Sequence, residues 1–128
     1  MIELRDDREA ALDAAYLALR DRARGMSRDD FAKAFDGFDV KVGVCGGEAV
    51  GAVFTKGPEI HVAVVPRYQR QWASRRLIWE CLGGIVKRFG YATTRVMNDN
   101  DAGLEFVKRL GFVPTDRDDV MTLFEVTA

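Results

Sequence analysis

Glu59 and His61 stand two residues apart in the run Glu59-Ile-His-Val-Ala-Val-Val65. Alternate side chains of an extended strand share a face, so a carboxylate and an imidazole would lie side by side. Histidine as a residue type titrates near neutrality and a carboxylate accepts protons, so the pair could serve as a general base. The plainer reading is a hydrogen-bonded histidine beside a solvated glutamate at a strand start. A little further on, Arg67, Arg70, Arg75 and Arg76 cluster about one junction. An apolar run stops there at Pro66, a basic polar turn follows, and an amphipathic helix begins. A helix N-terminus offers unpaired N–H groups and the positive end of its dipole, which can hold an anion. Cations beside it oppose the dipole, which slightly favours an anionic partner; the plainer reading is an ordinary solvated helix start. Cys45 and Cys81 lack zinc-site spacing in a chain with one histidine, and both are expected to be reduced, buried thiols. Neither has the activating neighbours that a thiolate nucleophile needs.

These residues need elements to carry them. Ile2–Leu4 reads as a short strand, and Asp6 with Glu9 has capping-box spacing. Leu12, Ala15, Tyr16 and Leu19 predict a helix from Arg8 to about Arg24, with Gly25 past its end. Ser27 with Asp30 reads as a second cap, and Phe31 and Phe35 share a face of a short helix from about Arg28 to Phe35. Val40, Val42 and Val44 alternate through a strand over Asp39–Cys45. Gly46-Gly47-Glu48 is a hairpin turn, Ala49–Thr55 the returning strand, and Glu59–Val65 the third strand of the meander. Ile78, Leu82, Ile85 and Phe89, widened by Trp79 and Val86, predict a helix from about Ala73 to Phe89. Gly83 and Gly84 inside it each cost about 1 kcal/mol against alanine, which a close approach to the sheet would explain. Tyr91–Met97 is a strand, Asn98–Asp101 a turn that caps a helix over Ala102–Leu110, and Gly111 its end, with Phe112 packed back over the last turn. Pro114–Asp119 reads as a polar loop before a last strand at Val120–Val126. The order is β-α-α-β-β-β-α-β-α-β, a mixed α/β fold in a single domain over residues 1–128. The strands at 59–65 and 91–97 are expected to be parallel through a right-handed crossover.

The bulk properties narrow the classes. The 128 residues carry a net charge of −1, with 48% hydrophobic and 30% charged. That balance suits a globular core and gives no large sequence-independent grip on nucleic acid. No apolar run approaches the roughly 18 residues of a membrane helix, and the N-terminus lacks targeting character. A cytoplasmic protein is expected, with monomer and homodimer both open.

The element order, with its junction at Val62–Leu77, resembles the GCN5-related N-acetyltransferase (GNAT) family over nearly the whole chain. Val64-Val-Pro-Arg-Tyr-Gln-Arg-Gln-Trp-Ala-Ser-Arg-Arg-Leu-Ile78 is similar to that family's acyl-CoA motif, a strand, Pro, Tyr, then Gln/Arg-x-x-Gly-x-Gly/Ala and a helix. Asn100 stands seven residues before the family's usual tyrosine position, and Phe106-Val-Lys-Arg-Leu-Gly-Phe112 resembles its Phe-Tyr-Glu-Lys-Leu-Gly-Phe ending. The resemblance implies a GNAT-like mixed sheet with one central parallel pair. It implies an N-acyltransferase with acetyl-CoA as donor, direct transfer to an amine on a small molecule or a protein, and no metal. Val64 and Val65 would hold the pantetheine arm through their main chain. Gln69, Arg70, Gln71, Trp72, Ala73 and Ser74 would cradle the pyrophosphate. Asn100 would face the pantetheine arm or cap its helix. Glu59 or His61, directly or through water, would take the proton from the amine, because an ammonium has no lone pair for attack. Acceptor choice would rest on Arg8–Phe35 and Pro114–Val126.

The sequence departs from this pattern at two places. The motif's first glycine is Trp72 and its second is Ser74, where glycines let phosphate approach the backbone. Trp72 is expected to pack or to plug the loop rather than to stack on adenine. The usual tyrosine acid is replaced by Val107, which cannot protonate a thiolate, and neither can Phe106. These departures carry an alternative: a catalytically inactive GNAT-fold protein that acts through protein–protein contacts. Small phage proteins with similarly degraded motifs are one such group, as structural or host-directed factors.

Overall fold

The computed structural model describes residues 2–19, 25–65, 68 and 72–127, with residues 72–75 described by their backbone alone. The elements are β1 (Glu3–Arg5), α1 (Arg8–Leu19), α2 (Arg28–Ala34), β2 (Asp39–Cys45), β3 (Glu48–Lys56), β4 (Glu59–Val64), α3 (Trp72–Phe89), β5 (Tyr91–Met97), α4 (Asp101–Arg109), β6 (Val113–Arg117) and β7 (Met121–Thr127). The strands form a seven-stranded sheet in the order β1-β2-β3-β4-β5-β7-β6. Strands β4 and β5 are parallel, with Glu59 opposite Thr93. Two compact units divide the chain, one over residues 1–56 and 62–78, the other over 57–61 and 79–128.

In the first unit, α1 starts where the Asp7 carboxylate accepts the Ala10 N–H at 3.1 Å. The expected cap, Asp6, instead pairs with Lys41 at 2.6 Å. Ala11, Leu12 and Ala15 bury one face of α1 against Val40 and Val42 of β2 and Ala52 and Phe54 of β3. Helix α2 opens as expected, with Ser27 Oγ accepting the Asp30 N–H at 3.1 Å. Its Phe35 stacks on Phe54 with ring centroids 4.1 Å apart, and Phe31 meets Tyr16 edge-on at 5.6 Å. Arg28 reaches back to Asp13 at 2.8 Å and Glu9 at 2.9 Å. Arg8 donates to the Phe35 and Phe38 carbonyls at 2.9 and 2.8 Å, which ties the start of α1 to the turn after α2. The β2–β3 hairpin turns at Gly46 and Gly47, with φ of 59° and 82°, the left-handed pair that a tight hairpin requires.

In the second unit, β5 buries Ala92, Thr94 and Val96 in strict alternation. Val107 and Leu110 of the α4 region, Phe112, and Thr122 and Phe124 of β7 are buried as well. Helix α4 closes at Gly111, where φ is 95°, and the Phe112 N–H donates to the Val107 carbonyl at 3.1 Å. Residues expected to be a polar loop form β6, which pairs antiparallel with β7. All five of its residues are exposed. A strand wetted on both faces shows no period of two, so the order gains a strand that alternation could not reveal.

Three further expectations change. Trp79 does not widen the buried stripe of α3 but is 52% exposed, and Phe89 at its end is 39% exposed. Cys45 and Cys81 are in no disulfide, and they are half-buried rather than buried. Gly83 and Gly84 are not at a close approach: a Cβ on either meets no atom within 4 Å. Their cost to the helix is therefore uncompensated by packing. Gly83→Ala and Gly84→Ala should each raise stability by about 0.5–1 kcal/mol, read as a higher urea midpoint at unchanged slope. A lowered midpoint would contradict the open placement.

Candidate functional site

Strand β4 carries the acid–base pair. Alternation puts Glu59 and His61 on one face, and His61 Nε2 lies 2.5 Å from Glu59 Oε2. Their side chains are 30% and 23% exposed, close enough to solvent to meet a substrate and shielded enough to hold one geometry. A glutamate carboxylate accepts, so His61 Nε2 is the donor in this contact. The arrangement can orient an imidazole as a base.

The end of β4 is shaped by main chain. The Val65 N–H donates to the Val50 carbonyl of β3 at 2.9 Å, and the Tyr68 N–H donates to the Val65 carbonyl at 2.9 Å. The Val65 N–H is thus committed within the protein. A Cβ built on Gly51 of β3 would stand 2.4 Å from the Ala63 carbonyl oxygen and 3.2 Å from Val64 Cα. Beside this contact lies a shallow, open apolar depression, lined among others by Ile2, Leu4, Val62, Val64, Leu77 and Ile78.

Pro66, Arg67, Gln69, Arg70 and Gln71 lie outside the described residues, as do the side chains of Trp72, Ala73, Ser74 and Arg75. The backbone of α3 begins at Trp72, its first turn holds no acidic residue, and Lys87 and Arg88 occupy its last turn. The positive end of the dipole is therefore not neutralised by a carboxylate in that turn. Among the described residues, no group of three His, Cys, Asp or Glu could hold a metal ion.

Asn100 serves as a cap: its Oδ1 accepts the Gly103 N–H at 3.0 Å at the start of α4. Val107, in the place of the resemblance's tyrosine, is buried at 7% exposure. Two features escaped the sequence reading. One is Gly51, although a glycine inside a strand pattern signals a close backbone approach. The other is a polar network around β7. Thr122 Oγ1 donates to Asn98 Oδ1 at 2.6 Å, and Asn98 Nδ2 donates to the Asp118 carbonyl at 2.8 Å. The Asp118 carboxylate accepts the N–H groups of Met121 and Val120, each at 2.7 Å.

Two outcomes follow from this geometry. Asn100→Ala should cost about 0.5–2 kcal/mol of stability, read in urea, and Asn100→Asp, which can still cap, should restore most of it. The hydrogen bond from Met121, then that from Val120, holds the Asp118 carboxyl below its usual range, with a smaller pull from Arg95. A depressed folded value gives stabilisation that is fully present above the unfolded value and lost as pH falls through the folded one. The amide resonances of Val120 and Met121 should hold steady down to the ordinary aspartate range and shift below it. In Asp118→Ala that step should vanish.

No family model and no curated protein matches the sequence. Solved structures do match it. The ribosomal-protein-S18-alanine N-acetyltransferase from Escherichia coli aligns with a TM-score of 0.73 at 20% identity, over 99% of this chain and 94% of that one. A PaiA N-acetyltransferase from Thermoplasma acidophilum in complex with coenzyme A aligns with a TM-score of 0.74 at 14% identity, over 100% and 99%. A GCN5-related N-acetyltransferase from Rhodopseudomonas palustris aligns with a TM-score of 0.74 at 15% identity, over 100% and 95%. With its seven-stranded mixed sheet and parallel β4–β5 pair, the chain has the fold of the GCN5-related N-acetyltransferases.

Proposed function

We propose that this protein is an acyl-CoA-dependent N-acyltransferase that uses acetyl-CoA and an amine acceptor, on a small molecule or a protein. The observation that carries this reading is the Glu59–His61 pair, held at 2.5 Å on β4, the strand whose far end carries Val64. That solved structures of this fold include N-acetyltransferases, one with coenzyme A, supports it. The chain also fits the donor at one point: the first turn of α3 is free of acidic residues. No helix of the described chain is long and apolar enough to cross a membrane, and we place the protein in the cytoplasm, where acyl-CoA is made and used.

When bound, acetyl-CoA would supply a thioester carbon open to attack by an amine. The chain's residues divide the remaining work. The main chain of Val64 and the carbonyl of Val65 would hold the pantetheine arm. Residues 69–74, the run that the resemblance assigns to the pyrophosphate, would meet it with backbone N–H groups. Glu59 fixes the His61 ring, and His61 takes the proton that an ammonium must lose before it can act as a nucleophile. Val107 offers no acid, and a thiol that titrates near about 8.5 needs little help from one to leave.

Calorimetry of the purified protein with acetyl-CoA should show binding, and thiol release in the presence of a panel of amines should report turnover. Glu59→Gln and His61→Ala should each lower turnover by about 10²- to 10⁴-fold while acetyl-CoA still binds. No heat and no thermal shift at saturating acetyl-CoA would sink the reading.

A further inference from the structure

We infer that Gly51 is a positioning residue for the donor strand: by lacking a side chain, it lets the Ala63 carbonyl lean over β3 and so sets the main-chain path of residues 62–65. A Cβ on Gly51 would stand 2.4 Å from the Ala63 oxygen, 3.3 Å from the Ala63 carbonyl carbon and 3.2 Å from Val64 Cα. All three are backbone atoms, so no rotamer change can relieve the contact, and β4 itself must move. Neighbouring strands normally keep their carbonyls in the plane of the sheet, while a Cβ stands out of it. An oxygen in the space of a Cβ has therefore left that plane. Just beyond, the Val65 N–H still reaches the Val50 carbonyl at 2.9 Å, so the departure is local and bounded.

The opposite strand supplies a control. Gly43 of β2 pairs across from Gly51. A Cβ there meets the Ile2 Cγ2 at 3.3 Å, and its other neighbours lie at 3.7 Å or more. The terminal methyl of an isoleucine can yield by a few tenths of an ångström. The two glycines share a sheet and a register, yet only Gly51 bears on β4.

This inference rests on the proposed acyl-CoA reading for its functional half, and the test separates the two. Gly51→Ala and Gly43→Ala are compared by amide resonances, thermal unfolding and calorimetry with coenzyme A. Gly51→Ala should displace the resonances of Ala63, Val64 and Val65 and weaken coenzyme A binding by about tenfold or more. Gly43→Ala should leave both near wild type. Equal coenzyme A affinity in Gly51→Ala, or an equal loss in Gly43→Ala, overturns the inference. If the wild type binds no coenzyme A, the acyl-CoA reading fails, and the resonances of residues 63–65 in Gly51→Ala still decide whether Gly51 sets the strand's path. If Gly51→Ala does not fold, the wild type decides: coenzyme A should move the resonances of residues 63–65, and binding that leaves them unmoved overturns the inference.

Discussion

The Ala63 carbonyl occupies the place of a missing side chain on Gly51, so β3 and β4 meet there through backbone alone. Strand β3 presents two unlike faces. On one, Ala52 and Phe54 bury against α1 and α2. On the other, Gly51 offers bare backbone, and β4 leans into it. Across β2, Gly43 repeats the absence and the Ile2 side chain comes up against it. Large side chains hold the helices while their absence shapes the strand opposite.

The helices owe their placement more to rings than to charges. Arg28 bridges to Glu9 and Asp13, whose side chains are 81% and 69% exposed, and pairs of that kind contribute about 0–1 kcal/mol. The Phe35–Phe54 stack joins α2 to the sheet through a buried ring, and such contacts add to the area they remove from water. Arg8 matters in another way, because its hydrogen bonds to two main-chain carbonyls tie the start of α1 to the turn that follows α2.

How much of this was legible in the sequence depended on whether a residue met solvent on one side and core on the other. Strands β2 and β5 are half-buried, so Val40, Val42, Ala92 and Val96 betrayed them by alternation. The same rule placed Glu59 and His61 together. Strand β6 faces water on both sides, and its Pro-Thr-Asp-Arg content is indistinguishable from a loop. Asp6 and Asp7 are neighbours with equal claims to cap α1, and Lys41, distant in sequence, decides between them. Trp79 adjoins buried Ile78, and a stripe's edge cannot be drawn to one residue by periodicity. Gly51 was visible as a glycine in a strand, but a sequence does not say which carbonyl approaches it. The acyl-CoA assignment came from resemblance, because no spacing by itself specifies a thioester.

Strand β6 also bears on how the protein behaves in company. The outermost strands of an open sheet expose a row of unsatisfied backbone groups, which invites another chain to add to it. Here the two borders are blunted by different means. Strand β1 is three residues long, Glu3–Arg5, too short to template much. Strand β6 is longer, but Pro114 lacks an N–H, the register slips between Pro114 and Asp116, and Asp116 and Arg117 place charge along the rim. A partner strand would meet a gap, a kink and two ions in succession. The same polar composition that hid β6 from view makes it a poor template for edge-to-edge addition.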